Sequence, residues 1–152
     1  GPFAEDDRVA WIRFGEAAGS RVQIVGDDYL TTNAALVDRA ALDQACNAVL
    51  VKPNQAGTLT EARAALDAGR RHGFGTIVSA RSGESEDVTV AHLAVGWNAG
   101  QIKVGSFARS ERMAKWNEVL RIEEALGAGA VFAGAGALPI RRPALVHGKP
   151  PA

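Results

Sequence analysis

The chain has 152 residues, 47% of them hydrophobic, with seventeen basic and seventeen acidic side chains, the make-up of one ordinary globular domain. Zero formal net charge excludes a protein that tracks nucleic-acid phosphates, because such binding rests on a surplus of Lys and Arg. No apolar run nears the roughly 20 residues needed to span a bilayer, GPFAEDDR lacks the layout of a secretory leader, and the single cysteine, Cys46, cannot make an internal disulfide, so a cytoplasmic protein away from membranes is expected.

In chain order, EDDRVAWIRFGEAAG predicts a leading helix. RVQIVGDD follows, a short Val/Ile run ending in Gly and acids, as a buried parallel strand does. NAALVDRAALDQAC then reads as a helix capped by Asn33, with Leu36, Ala40 and Leu42 on one face. NAVLVKPNQ is a second strand. TLTEARAALDAGRRHG is a helix that opens with the capping-box pair Thr58 and Glu61 and stops at Gly73. GTIVSARSG gives a third strand, EDVTVAHLAVGW a helix, GQIKVGS a fourth strand, and RSERMAKWNEVLRIEEAL a long helix ended by Gly127. Its charges fall at helical spacing, which predicts a solvated outer helix with i,i+4 pairs. The order αβαβαβαβα implies right-handed crossovers and a parallel sheet over residues 1–127. Residues 128–152, rich in Gly, Ala and Pro, form a tail expected to wrap over the surface or stay partly disordered.

Parallel α/β folds place their chemistry at the carboxyl ends of the strands. Here those ends carry Asp27 and Asp28, Lys52, Arg81 and Ser82, and Lys103. A lone Asp after a strand can simply cap the next helix. Lys52 is harder to dismiss: it emerges directly from AVLV before Pro53, where an ammonium is costly unless paired or deprotonated, and Lys103 repeats the situation. His72, His92 and His147 are scattered without metal-ligand spacing, and His72 favours a helix end. Trp11, Trp97 and Trp116 lie on helices as core or interface residues.

The segments VGDDYLTTN, VKPNQAGTLTEA, ARSGESEDVT, GQIKVGSFARSERMAKWNEVLRIEEAL and the opening PFAEDD resemble consecutive segments of enolases, in order and spacing. The resemblance runs from Pro2 to Leu126. It implies four strand–helix units of an enolase-type (β/α)₈ barrel and a Mg²⁺-dependent hydro-lyase acting on 2-phosphoglycerate. By the same resemblance, Asp27 corresponds to a Mg²⁺ carboxylate ligand, and Lys52 to the base that removes the proton next to the substrate carboxylate. Lys103 corresponds to the lysine that holds that carboxylate and stabilises the dianionic intermediate, and Arg81 and Ser82 to the groups that grip the phosphate and a metal-linked oxygen. A planar guanidinium fork suits phosphate, and a hard cation suits a carboxylate.

Two departures qualify that reading. Enolases carry SHRSGE where this chain reads SARSGE, so Ala80 stands where the family has a histidine near the departing hydroxyl, which points to altered or lost dehydration. Four strands are also only half of a barrel of around 250 residues, so the other metal carboxylates and the general acid lie outside this sequence, with the family's glutamate before PFAEDD falling ahead of Gly1. A half-barrel should leave sheet edges and apolar faces exposed. A second chain carrying the front half, a second copy, or helices wrapped over both faces of a flattened, flavodoxin-like sheet could cover them. The functional expectation is an enolase-like lyase half, inactive alone, acting on 2-phosphoglycerate or a related phosphate or phosphonate acid once completed. The alternative is a non-catalytic anion-binding or regulatory remnant.

Overall fold

A computed structural model describes residues 1–140 of the protein. Helix α1 (Arg8–Ala18) leads into strand β1 (Val25–Gly26), followed by α2 (Ala34–Leu42), β2 (Ala48–Val51), the single turn α3 (Pro53–Ala56), α4 (Leu59–Arg71), β3 (Gly75–Ser79), α5 (Thr89–Gly96), β4 (Gly100–Lys103) and α6 (Ser110–Leu126). The strands pair in parallel in the order β1-β2-β3-β4. Each right-handed crossover therefore steps the same way along the sheet and delivers its helix to the same face. A sheet wrapped on both sides needs a reversal of strand order, so the flavodoxin-like alternative is overturned. The chain is four parallel strands alternating with helices, part of a barrel wall.

The helix boundaries follow local chemistry. Asp7 and Asn33 accept hydrogen bonds from the amides of Ala10 and Leu36 at 3.0 and 3.1 Å, capping α1 and α2. Thr58 accepts from the Glu61 amide at 3.1 Å, while the Glu61 carboxylate accepts from the Thr58 hydroxyl at 2.8 Å, so the reciprocal half of the expected capping box goes to the hydroxyl. Helix α4 ends as expected at Gly73, whose φ of +71° lets Phe74 N–H return to the Gly69 carbonyl. On α2 the buried residues are Val37 and Ala40, and Leu42 is 82% exposed. The expected stripe fails because six residues at 100° each put Leu42 about 240° from Leu36.

Strand pleating divides the sheet into two faces. Val49, Val51 and Val78 join Trp11, Leu30, Val37 and Leu66 in the main core under the helices. Each such side chain contributes about 1.5–3 kcal/mol by leaving water. Ala48, Leu50 and Ile77 point to the other face and make a smaller cluster with Val25. These apolar residues were expected to lie open in a half-barrel, but all three are at most 6% exposed. The sheet is curled enough for Gln23, just ahead of β1, and Gln101, on β4, to exchange two amide hydrogen bonds of 2.9 Å across the concave side. They pass over Gly75, where a Cβ would stand 2.7 Å from Gln23 Oε1. Gln101 also donates to the Ala137 carbonyl at 3.0 Å, so residues after Gly127 fold back against this end of the sheet. Residues 141–152 of the expected tail, with His147, lie outside the described residues.

Asn47, between α2 and β2, pins the approach to β1: its carboxamide oxygen accepts from Ile24 N–H at 2.7 Å and its NH₂ donates to the Gly19 and Val22 carbonyls at 2.9 and 3.0 Å. Asn47→Ala is expected to cost about 2 kcal/mol in urea unfolding, since it strands part-buried backbone groups. Between α1 and the end of α2, the Arg8 guanidinium forks onto both Asp43 oxygens at 2.6 Å. Those hydrogen bonds, ahead of the charge itself, hold the Asp43 carboxyl below its usual range. A depressed carboxyl contributes stability that is present above its unfolded pKa of about 3.9 and lost as pH falls through the lower folded value. Asp43→Asn should therefore melt below the parent at pH 7, with the gap closing as the folded carboxyl protonates, as read in parallel thermal melts down the acid range.

Candidate functional site

Successive strands bring the strand-end residues level with one another. Val51 pairs with Val78 and Ser79 with Lys103, so Lys52, one step past Val51, stands level with Ser79 and Lys103. Pleat parity turns all three to the concave face, with Lys52 and Lys103 two strand spacings, about 10 Å, apart. Asp27 follows β1 on the same parity. An open cleft of about 770 Å³ is lined by Asp27, Lys52, Ala80, Arg81, Ser82 and Lys103 among others. Of the strand-end residues singled out in the sequence, Asp27, Lys52, Arg81, Ser82 and Lys103 border it, and Asp28 does not.

Lys52 is 8% exposed, and its ammonium is in direct contact with Asp27 Oδ1 and 4.0 Å from Asp28 Oδ1. Pro53 opens α3 and restricts Lys52 to extended backbone, observed at φ −113° and ψ 100°. Beneath it lies a device the sequence did not announce. Thr32 is 2% exposed; its hydroxyl accepts the Lys52 N–H at 3.0 Å and donates to Gln55 Oε1 at 2.8 Å. Thr31 and Thr32 sit at φ +46° and +52°, a region that β-branched residues avoid. The hydroxyl's bonds thus hold a strained turn that fixes where the lysine leaves the strand.

The far side of the cleft is built differently. The Ala80 amide donates to the Lys103 carbonyl at 3.0 Å, extending the β3–β4 ladder to the mouth of the site. Arg81 and Ser82 are exposed on the turn that follows, where Gly83 takes φ +76°. Lys103 is also exposed and makes no ion pair among the described residues. The expectation that it repeats the buried setting of Lys52 is therefore corrected: β4 is an edge strand, with no neighbour on its far side among the described residues, whereas β2 lies between two strands. Glu84 and Asp87 line the cleft too, but each serves the backbone: Glu84 accepts from the Arg81 amide and Asp87 from the Thr89 amide. Hydrogen bonding from Thr89, its hydroxyl ahead of its amide, holds the Asp87 carboxyl below its ordinary range. Asp27 is paired with Lys52, and Arg81 and Lys103 are the exposed cations of the cleft, the groups able to face an anion.

Two residues of α6 depart from the solvated outer helix expected: Lys115 is 1% exposed, and Trp116 donates to the Gly105 carbonyl at 3.2 Å. His72 and His92 pair with Asp38 and Glu118 at 2.8 and 2.9 Å, tying α4 to α2 and α5 to α6, away from the cleft.

Mg²⁺ needs near-octahedral oxygen donors. Asp27 Oδ1 is buried and, beyond the Lys52 ammonium, finds no hydrogen-bond donor. Yet among the described residues no three His, Cys, Asp or Glu side chains are grouped to hold a metal. One carboxylate beside an ammonium does not by itself make a Mg²⁺ site.

The profile of the family described as "Enolase, C-terminal TIM barrel domain" matches residues 1–139. The chain belongs to the enolase family. It is 53% identical over 130 residues to the enolase of Anaplasma marginale (strain St. Maries), an alignment that covers 86% of this chain. The chain spans 30% of that enolase's length. Among the described residues no helix is long and apolar enough to cross a membrane.

Titrating the chain with Mg²⁺ by calorimetry should give binding no tighter than about a millimolar, the range left when a hard cation finds few fixed oxygen ligands. Asp27→Asn should cost about 1–3 kcal/mol in chemical denaturation, between the values for exposed and buried pairs, by leaving the Lys52 ammonium without its partner.

Proposed function

We propose that this chain is the back half of an enolase-like lyase, residues 1–127 forming the half-barrel and 128–152 a tail, which works in the cytoplasm once a front half completes the site. A front half supplied by a second chain, or a second copy of this one, would complete the barrel. The substrate is 2-phosphoglycerate or a related phosphate or phosphonate acid. The observation that carries the reading is the convergence of Asp27, Lys52, Arg81, Ser82 and Lys103 on one cleft at the carboxyl ends of four strands. The family's cofactor is Mg²⁺. Asp27 would be one of its ligands, with the rest of the donor set supplied by the front half.

In this reading Lys52 takes the α-proton. Its ammonium is held by Asp27, so it can act as a base only when that carboxylate is engaged elsewhere and the free amine forms. Arg81 and Ser82 hold the phosphate, and Lys103, on the opposite flank of β3, faces the substrate carboxylate and the negative charge that builds on it as the proton leaves. Placing the two lysines about 10 Å apart divides proton removal from charge stabilisation, so that each can be lost separately.

The second reading, a non-catalytic anion-binding remnant, is favoured by one feature: Ala80 brings only a methyl group to the cleft, where the resemblance implies a histidine near the departing hydroxyl. Elimination then lacks nearby acid help, typically worth about 10²- to 10⁴-fold.

Purified alone, the chain should form no phosphoenolpyruvate from 2-phosphoglycerate in an ultraviolet absorbance assay with excess Mg²⁺. Turnover at an ordinary enolase rate would refute the need for a front half. In the completed protein, Lys52→Ala should abolish exchange of the substrate α-proton with deuterated water, read by NMR, whereas Arg81→Ala should chiefly raise KM. Ala80→His should speed dehydration with α-proton exchange nearly unchanged. Exchange at the parental rate in Lys52→Ala would remove the lysine from the mechanism and leave the remnant reading.

A further inference from the structure

A buried ammonium stands outside the chemistry just described. Lys115, near the start of α6, is 1% exposed, and its Nζ donates to the Ser85 carbonyl at 2.6 Å and to the Glu111 carbonyl at 2.9 Å. Both acceptors are neutral; among the described residues the ion-pair partner of this charge is Glu84, whose Oε2 lies 3.7 Å away, while Asp87 feels the charge from farther off. The other oxygen of that carboxylate accepts the backbone N–H of Arg81, and Asn54 of α3 approaches the same oxygen at 3.5 Å. Glu84 is thereby a three-way junction joining α6, the amide of the residue that carries the guanidinium, and the turn directly after Lys52.

Burying a lysine is costly, and replacing a buried ion pair by apolar side chains of similar size is often neutral or stabilising. Stability alone is thus a poor reason for an ammonium here. What this arrangement supplies is shape. The segment from Ala80 to Val88 belongs to no strand or helix and turns at the positive φ of Gly83. Across this stretch Lys115 grips Ser85 and Glu84, and Glu84 fixes the Arg81 amide.

We propose that Lys115 is a positioning residue that holds the 81–85 turn in its anion-gripping form, acting on Arg81 through Glu84. This rests on the reading that Arg81 and Ser82 grip an anion, and it adds a regulatory consequence. Because Lys115 belongs to α6, whatever shifts α6 alters anion affinity without touching a residue that meets the anion.

The test is a double-mutant cycle on the chain itself, with amide hydrogen exchange at Arg81 and inorganic phosphate affinity, both by NMR, as readouts. Lys115→Met and Glu84→Ala are each expected to speed Arg81 exchange about tenfold, the effect of losing a charge-assisted hydrogen bond, and to weaken phosphate binding similarly. In the Glu84→Ala background, Lys115→Met should add little at Arg81, because the route between them is already cut. Glu84→Gln keeps an acceptor for the Arg81 amide but drops the charge that faces Lys115, so it should fall between parent and Glu84→Ala. Fully additive effects, or unchanged Arg81 exchange in Glu84→Ala, would overturn the proposal, and the second outcome holds even if Lys115→Met fails to fold. Should the parent chain bind no phosphate, the anion-gripping reading fails instead, while the exchange cycle still decides whether Lys115 shapes the turn.

Discussion

The alternation of a β-strand is the constraint on which the rest of this structure depends. Side chains on a strand point to opposite faces, and parallel strands in register keep that parity from one to the next. With strands in sequential order, the crossover helices α2, α4 and α5 lie on one side. The other side is left to a second set of positions: Ala48, Leu50 and Ile77 toward the base, and Asp27, Lys52 and Lys103 at the mouth. A one-residue slip of β2 would carry Lys52 into the apolar layer of Val49, Val51 and Val78 and a valine into the cleft. Packing and chemistry are thus fixed by one register. The cost of burying an ammonium under the helices protects the site against that slip.

Within this frame the site has a rigid side and an adjustable side. Lys52 is fixed by its own backbone: by Pro53 after it, by the Thr32 hydroxyl against its amide, and by Asp27 against its ammonium. Arg81, Ser82 and Lys103 are exposed, and the first two ride on a turn shaped by contacts with neighbouring elements. A proton-abstracting group needs its position fixed closely relative to the bond it breaks. An anion grip tolerates looser placement, because charge attraction falls off gently with distance.

Much of the fold was legible because its signals are local. The Val/Ile runs, the caps at Asn33 and Thr58 and the stop at Gly73 all act within a few residues, and the strand-end charges announced themselves by following buried runs. Other features could not be read that way. Leu42 is apolar, but the 100° step turns it away from the core face of α2. The exposure of Lys103 depends on its strand being the outer one of four, which is set by pairing and not by neighbours in sequence. Thr31 and Thr32 carry no signal of a left-handed turn, since their type argues against it. Lys115 looks like any surface lysine in RSERMAKWNEV until the 81–85 turn is folded over it. Thr32, Lys103 and Lys115 are defined by partners 18 or more positions away, and composition and periodicity report nothing at that range.

The Gln23–Gln101 pair joins the two flanks of the sheet with neutral groups only. The outer helical layer is tied by ionisable pairs: Arg8 with Asp43, His72 with Asp38, His92 with Glu118. Carboxylates lose their charge in acid, whereas a carboxamide does not titrate in that range. Acid thus separates the two layers of the molecule. The helical coat loses these electrostatic fastenings and rests on its apolar packing, while the amide clasp across the concave floor keeps its hydrogen bonds.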